Sequence, residues 1–543
     1  MFKSLKDFTI MKSKFYTKNR IFLILFLSLT LDCAFAANET LTTGAFIIDM
    51  GVTPQTISNG LKPYGLVYDL VKNYAVPIKW VIKTSKIKDG VDFNHKGVGY
   101  SGGPFIVPSE YRTAAINARI TYWQSLGVVG VTTTTPITVP VYATLQAMPI
   151  WTLDAQNGKI AQVFLDNAGI PSTAYNWLTP AQLSFCNDLF VMPHADPTWA
   201  THSNLLDWNK TFKGGIWAGC HAVSVMESLY NPLNVAQTMN FLSIPNLFPY
   251  KSHSNGSPPY SYNYPTDPIM QFIGTIDAAQ QNGSEQIFMP NAGGSWRPGA
   301  KLAVYDPTQS NVPSLSPGPA SSLAFGYAFD DSTRGKVLYE GGHDIATNDA
   351  DGVAAQRVFF NFSFVIAYER EVIPSLTASS DTLHAGSSTV LSAFLQSPFK
   401  ISSYTIKWSS SCGGTFSPND NQSNVTYTPP SDTITSPCFI SVSISDTCGR
   451  IFTNNKPFVL LPPCPTVSIS TTSSLVCAGT NLTFKAVVTN PSALCQLQWQ
   501  NSSDGILWSN IAGANSLTYS TPQNSSLRFR AIMNCTAGST CCN

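Results

Sequence analysis

The sequence predicts a multidomain protein, in which an α/β domain with a mainly parallel sheet precedes two small all-β sandwiches. Three observations carry this. Strand-like and helix-like runs alternate over residues 44–370. From about residue 372 the helical periodicity stops, and short alternating Ser, Thr, Val and Ile runs follow, separated by Pro, Gly, Asn and Asp turns. Cysteines divide the chain at the same place. Only Cys186 and Cys220 lie between residues 37 and 373, whereas Cys412, Cys438, Cys448, Cys464, Cys477, Cys495, Cys535, Cys541 and Cys542 crowd the last third.

The elements follow in order. Lys12, Lys14, Lys18 and Arg20 precede an apolar run at 21–31, and Ala34-Phe35-Ala36 supplies a small-x-small site. Residues 1–36 therefore read as a secretory signal peptide. The run is too short to span a bilayer and no later run is longer, so no transmembrane segment is expected. Six of the 32 Lys and Arg and two of the 31 Asp and Glu precede residue 37. The remainder is mildly acidic, with no basic stripe for nucleic acid. Charged residues make up only 12% of the chain while 31 Phe, 21 Tyr and 11 Trp can fill cores, which excludes a disordered chain and fits a secreted, β-rich one.

Residues 37–371 form the predicted α/β domain. Residues 45–50, 76–82, 137–152, 189–192, 301–305 and 336–339 read as strands; 61–74, 160–168 and 353–369 have helical spacing. Such alternation builds a sheet covered on both faces. Residues 246–299, rich in Pro, Ser, Asn, Gly and Tyr, break the rhythm and read as an insertion, either a lid or a surface excursion. The sandwiches are expected at 372–463 and 464–543. Residues 389–394, 403–408 and 440–444 read as strands of the first, and the second holds Gln498-Trp499-Gln500, Tyr519 and the run 527–531. The odd number of tail cysteines leaves one thiol free, paired outside the chain, or cut from its partner at the C-terminus.

The stretch Lys213-Gly214-Gly215-Ile216-Trp217-Ala218-Gly219-Cys220-His221-Ala222-Val223-Ser224 carries the chemistry. A strand-like run ends at a cysteine between small residues, and a helix-like run follows, the local grammar of a nucleophile elbow. The helix start behind Cys220 would favour its thiolate. The competing readings are an inert buried thiol or a disulfide with Cys186. A nucleophile needs a base, and two are available: His343, after the Gly341-Gly342 strand end, and His221. Asp344 or Glu340 could orient the imidazole. His194, Asp196 and His202 are metal-ligating types, but their spacing fits no zinc pattern. No metal and no cofactor is expected.

With these residues laid out, the first domain resembles the class I glutamine amidotransferase-like superfamily, a flavodoxin-like α/β fold. The likeness rests on Asp188-Leu189-Phe190-Val191-Met192-Pro193-His194, Ala218-Gly219-Cys220-His221-Ala222 and Gly335-Lys336-Val337-Leu338-Tyr339-Glu340-Gly341-Gly342-His343. It implies an open parallel sheet, Cys220 as nucleophile, a histidine base, and oxyanion donors on the backbone of His221 and of His194 or Ala195. The family usually has Gly where Ala222 stands, and a Glu two residues after the histidine, where Ile345 stands. Ser101-Gly102-Gly103-Pro104 also resembles an amidotransferase turn, but it lies far upstream and reads as an ordinary strand end. The tail resembles Ig-like or PKD-like modules of exported Bacteroidetes-type proteins, on Trp499-Gln500-Asn501-Ser502-Ser503-Asp504-Gly505, Trp508 and Ile511-Ala512-Gly513-Ala514. The immunoglobulin arrangement implies a Cys477–Cys535 disulfide. Cys412 pairs with Cys438 in the first module, with Cys448 competing.

Two functions follow as expectations. One is a secreted, cysteine-dependent hydrolase or transferase acting on C–N or related bonds of an extracellular substrate. The alternative is a non-catalytic surface protein for ligand binding or adhesion, with the sandwiches as spacers. The partner in either case is an extracellular small molecule, peptide or glycan.

Overall fold

A computed structural model describes residues 37–244, 255–290, 294–309, 320–396, 399–431, 438–492 and 495–535. The signal-peptide reading, Cys541, Cys542 and parts of the 246–299 insertion lie outside the described residues.

The first sheet is antiparallel throughout. Its six strands run in the order Ala37–Leu41, Ile137–Leu145, Ile78–Val81, Phe105–Val107, Phe46–Ile48 and Gly130–Thr132. Both faces are covered: Phe46, Ile48, Phe105 and Val107 pack into one core and the alternate residues Ile47 and Ile106 into another, the period-2 pattern of strands buried on both sides.

The second sheet has eight strands and is mixed. Tyr175–Trp177, Trp151–Leu153, Leu189–Pro193, Gly215–Gly219 and Lys336–Glu340 lie parallel. Ser321–Tyr327, Lys301–Tyr305 and Ser261–Tyr262 continue it antiparallel. Both faces are apolar. Leu189, Val191, Trp217 and Leu338 point into one core, while Phe190, Met192, Ile216, Ala218, Val337 and Tyr339 point into the other. The helix Ala350–Glu369 covers the first face, with residues 352–367 buried all round. Its Arg357 is fully buried and donates to the carbonyls of Met50, Gly102 and Gln271. The Ser101-Gly102-Gly103 turn thus serves the core, with both glycines at positive φ.

These facts correct the expected fold class. Residues 37–371 do not form a flavodoxin-like open parallel sheet: residues 37–145 build a separate antiparallel sheet, and three antiparallel strands extend the other. Among the described residues strand outweighs helix, and 22% are helical. Short strand-like runs show which residues form strands but not which way they run, because direction depends on pairing between distant segments.

The remaining described residues form two sandwiches. In the first, Ser375–Ala378, Thr389–Phe394, Asn424–Thr428 and Thr415–Ser417 face Thr382–His384, Ile451–Leu461, Cys438–Ser445 and Thr405–Ser410 across a core that includes Trp408 and Tyr427. In the second, Thr466–Thr471, Thr480–Thr489 and Thr518–Gln523 face Ser509–Asn510, Cys495–Ser502 and Arg528–Cys535 across Trp499 and Phe484. Cys412 bonds to Cys438 and Cys495 to Cys535. The pairing of Cys477 with Cys535 is therefore corrected, and Cys477 is an exposed free thiol. Cys495 and Cys535 sit opposite each other on neighbouring strands, so this bond stays within one sheet instead of joining two.

The first sandwich is fixed to the mixed-sheet domain. Cys186 bonds to Cys448, which removes the Cys186–Cys220 alternative. Asp188, buried, forms an ion pair with Arg370 Nε at 3.0 Å and accepts from Arg450 Nη1 at 2.8 Å, and Arg450 also pairs with Asp446 at 2.6 Å. The Arg450 guanidinium lies 4.4 Å over the Phe185 ring. Gln146 receives the Thr453 amide, and the buried Glu371 carboxylate caps the amides of Gln146 and Ala147.

Candidate functional site

Three neighbouring parallel strands end level with one another. Pro193 pairs with Gly219, and Gly219 with Glu340. Just past that rung the chain turns sharply on each strand. His194 has φ 51° and Cys220 has φ 53°, both in the left-handed region that side chains rarely adopt. Gly342, at φ 69°, makes the third turn and aims His343 inward. Non-glycine residues held in this region cost of order 1–3 kcal/mol each and cluster where a site is built.

The turns bring four side chains together. His343 Nδ1 lies 3.4 Å from Cys220 Sγ. The His194 ring stands 4.1 Å, centroid to centroid, from both His221 and His343. His221 Nε2 lies 3.5 Å from an Asp196 carboxylate oxygen. One donor atom each from His194, Cys220 and His343 falls within 4.8 Å of the others. His343 and His194 are half-buried, so the cluster opens outward through its imidazoles.

The sulfur is covered. Cys220 is fully buried, Ser284 Oγ lies 3.3 Å from Sγ, and the Glu285 amide donates to it at 3.3 Å. This cover comes from the insertion. It can sit so close because Gly283 packs on the Gly342-His343 backbone: a Cβ on Gly283 would come within 2.6 Å of Gly342 Cα. Burial pushes the Cys220 thiol pKa up, and the hydrogen bonds from Ser284, Glu285 and His221 oppose that only in part. Burial also lowers the His343 pKa, against the charge of Asp344. Glu285, bonded to Ser224 Oγ at 2.7 Å, is pushed up to about 8 by burial.

The expected supporting roles fare unevenly. Asp344 is exposed and touches His343 only through its charge. Glu340 is buried beneath the strand end, accepting from Trp217 Nε1 at 3.0 Å and Gln280 Nε2 at 3.4 Å, so it does not orient the imidazole. The His194 amide donates to Gly219 O at 3.0 Å and is not available to an oxyanion. Ala195 is buried. His202 lies apart, with Nε2 2.8 Å from the Asp154 carboxylate and the Thr198 amide donating to Nδ1. Ser284 and Glu285 were missed by sequence reasoning. They lie in an irregular segment where no periodicity marks a contact, and Gly283 was the one available signal.

Residues 466–543 match a family model described as "Domain of unknown function (DUF8696)". The comparison with curated proteins finds no match. Among solved structures the chain is similar to the Yersinia pseudotuberculosis adhesin InvE, at 15% identity and TM-score 0.15, over 30% of this chain and 57% of that one. The chain thus spans little more than half of that adhesin structure. The Escherichia coli adhesin FdeC matches at 11% identity and TM-score 0.18, over 41% of this chain and 73% of that one. An amphioxus IgVJ-C2 molecule matches at 9% identity and TM-score 0.14, over 28% and 98%.

The likeness to glutamine amidotransferases is corrected by the mixed sheet and the separate antiparallel sheet. The reading of the Cys220 turn as a hydrolase's nucleophile elbow is corrected with it. The helix behind Cys220, Ala222–Glu227, is only six residues long, and the sulfur it was expected to activate is buried with a raised pKa. What stands is an extracellular or surface protein: disulfides persist in oxidising surroundings. Among the described residues no helix is long and apolar enough to cross a membrane.

Proposed function

We propose that this chain is an exported surface protein that binds or adheres, with the mixed-sheet domain as its head and the two sandwiches as a stapled stalk. The observation that carries this is the joint between head and first sandwich. A disulfide and a buried Asp188 shared by two arginines make one stiff piece of two domains, which suits presentation of a surface. Interfaces between domains of a chain are ordinarily more mobile. The signal peptide at 1–36 belongs to this reading, and the partner is a small molecule, peptide or glycan. The test is saturable binding of the purified chain to arrays of glycans and extracellular-matrix peptides. Binding that survives Cys220→Ser supports it. Absence of binding, together with turnover of a substrate that Cys220→Ser abolishes, overturns it.

One observation favours a second reading. His343 Nδ1, 3.4 Å from Cys220 Sγ, can take the thiol proton, and the His221 amide faces the sulfur. In that reading the Ser284 cover lifts, His343 takes the Cys220 proton, and the sulfur bonds to a carbonyl carbon of a ligand as the C=O π electrons move onto oxygen, with His221 as the rival base. Iodoacetamide labelling across pH tests it. Labelling of Cys220 that His343→Ala slows supports the pair, and labelling indifferent to that change sinks it.

A further inference from the structure

We propose that Cys220, His343 and His194 form a binding site for a borderline-soft divalent cation of the Zn²⁺ type. This goes beyond the adhesive reading and does not depend on it.

The donor chemistry comes first. One thiol sulfur and two imidazole nitrogens are the ligands Zn²⁺ takes in proteins, at about 2.3 Å for sulfur and about 2.0–2.1 Å for nitrogen. Around a tetrahedral ion these bond lengths put sulfur and nitrogen roughly 3.5 Å apart. The Cys220 Sγ to His343 Nδ1 separation is 3.4 Å, and the three donors lie within 4.8 Å of one another. Three protein ligands leave a fourth position open, as in sites that bind an outside molecule.

The backbone supplies the second observation. The donors sit one, one and three residues beyond a single rung, Pro193–Gly219–Glu340, on adjacent strands. Two of them hold left-handed φ without being glycine. Bent turns on two adjacent strands have no use in sheet packing, but they converge these side chains on one point.

An outer shell is also present. The Glu285 amide and Ser284 Oγ reach the sulfur, as groups around metal thiolates do. Asn157 Nδ2 holds the His194 carbonyl at 2.7 Å, and the His343 amide donates to Asn282 O at 2.9 Å, so the turns carrying both imidazoles are tied down. On binding, the S–H bond breaks, the sulfur's electron pair goes to the cation, and the proton leaves to solvent.

The experiment uses the full secreted chain, stripped with a chelator and titrated with Co²⁺. The expected result is one equivalent bound, with the visible bands of a tetrahedral site and a near-ultraviolet sulfur-to-cobalt charge-transfer band, both removed by Zn²⁺. Cys220→Ser should lose the charge-transfer band. His343→Ala and His194→Ala should weaken Zn²⁺ binding by at least the roughly 10–100-fold that loss of an outer-shell partner costs. Cys477→Ser, which removes the exposed free thiol, should leave the spectrum unchanged. Zn²⁺ should also protect Cys220 from iodoacetamide. A folded protein with no cobalt–thiolate band, a band that persists in Cys220→Ser or vanishes in Cys477→Ser, or labelling indifferent to Zn²⁺ overturns the proposal. Glycan or peptide binding by the stripped protein leaves the adhesive reading standing whichever way the titration falls.

Discussion

Cys220 and the carboxyl groups around it show how burial governs single residues. Glu340 is fully enclosed beneath the strand end, and burial pushes its pKa to about 8 against the pull of Trp217 and Gln280. Glu285 and Glu371 are pushed to about 8 for the same reason. The folded state therefore keeps protons that the unfolded chain releases above its ordinary pKa of 4.5. The stabilisation this gives is complete below that value and is lost as pH rises to about 8. Urea unfolding should show stability falling across that window. Glu340→Gln, which keeps an oxygen to accept from Trp217 Nε1 and has no proton to lose, should flatten the fall and raise stability at pH 8 by about 1–3 kcal/mol, on a scale of about 1.4 kcal/mol per pKa unit. An unchanged slope would show that Glu340 is already ionised in the fold. At this scale the sequence was legible where a side chain sits on a regular element. Cys220 and His343 stood out because each follows a strand-like run and small residues. Asp344 and Glu340 looked like orienting acids only because they adjoin His343 in sequence. One points to solvent and the other lies below the sheet end, since successive residues past a strand face different ways.

Among the elements, the segment over Cys220 depends on contact between glycines. Gly283 lies against the Gly342-His343 backbone with room for a hydrogen and nothing larger, and the atom a Cβ would strike is backbone. Gly283→Ala should lift the 283–285 segment, break the Ser284 and Glu285 contacts to Sγ, and expose the thiol. Alkylation of Cys220 at neutral pH should then accelerate about tenfold or more, while global stability falls by about 1–3 kcal/mol, the usual cost of overpacking. Alkylation at the parent rate would mean that the segment does not shield the sulfur. The strands themselves were largely legible: 45–50, 76–82, 189–192, 301–305 and 336–339 were all read as strands and each contains one. Their direction was not. Phe46–Ile48 and Ile78–Val81 resemble the parallel strands in composition but lie in an antiparallel sheet. A buried apolar run looks the same whichever way its neighbour runs.

At the scale of the molecule, Asp188 anchors two domains. It takes a guanidinium from the end of the helix Ala350–Glu369 and another from the first sandwich. Asp188→Ala leaves two buried cations short of a partner and should cost about 3–5 kcal/mol. The loss should appear as separate melting of head and sandwich, where the parent should melt in one transition. A single unshifted transition would show that the ion pairs contribute nothing to the joint. None of this was legible, because Cys186 and Cys448 are 262 residues apart and a pairing that distant has no local signal. Cys477 shows the converse error: familiar spacing suggested a bond that the fold gives to Cys495.

The Cys186–Cys448 bond also decides how the protein carries a mechanical load. Tension applied between the two chain termini passes across the sulfur bridge, so the 262-residue span between its ends bears none of it. That shielded span includes the strands that carry Cys220 and His343. Single-molecule pulling under oxidising conditions should therefore release only the chain outside the bridge, and adding a reductant should yield roughly 900 Å of further extension. A surface-anchored protein wired this way could be tugged hard while the strands bearing Cys220 and His343 stayed out of the load path.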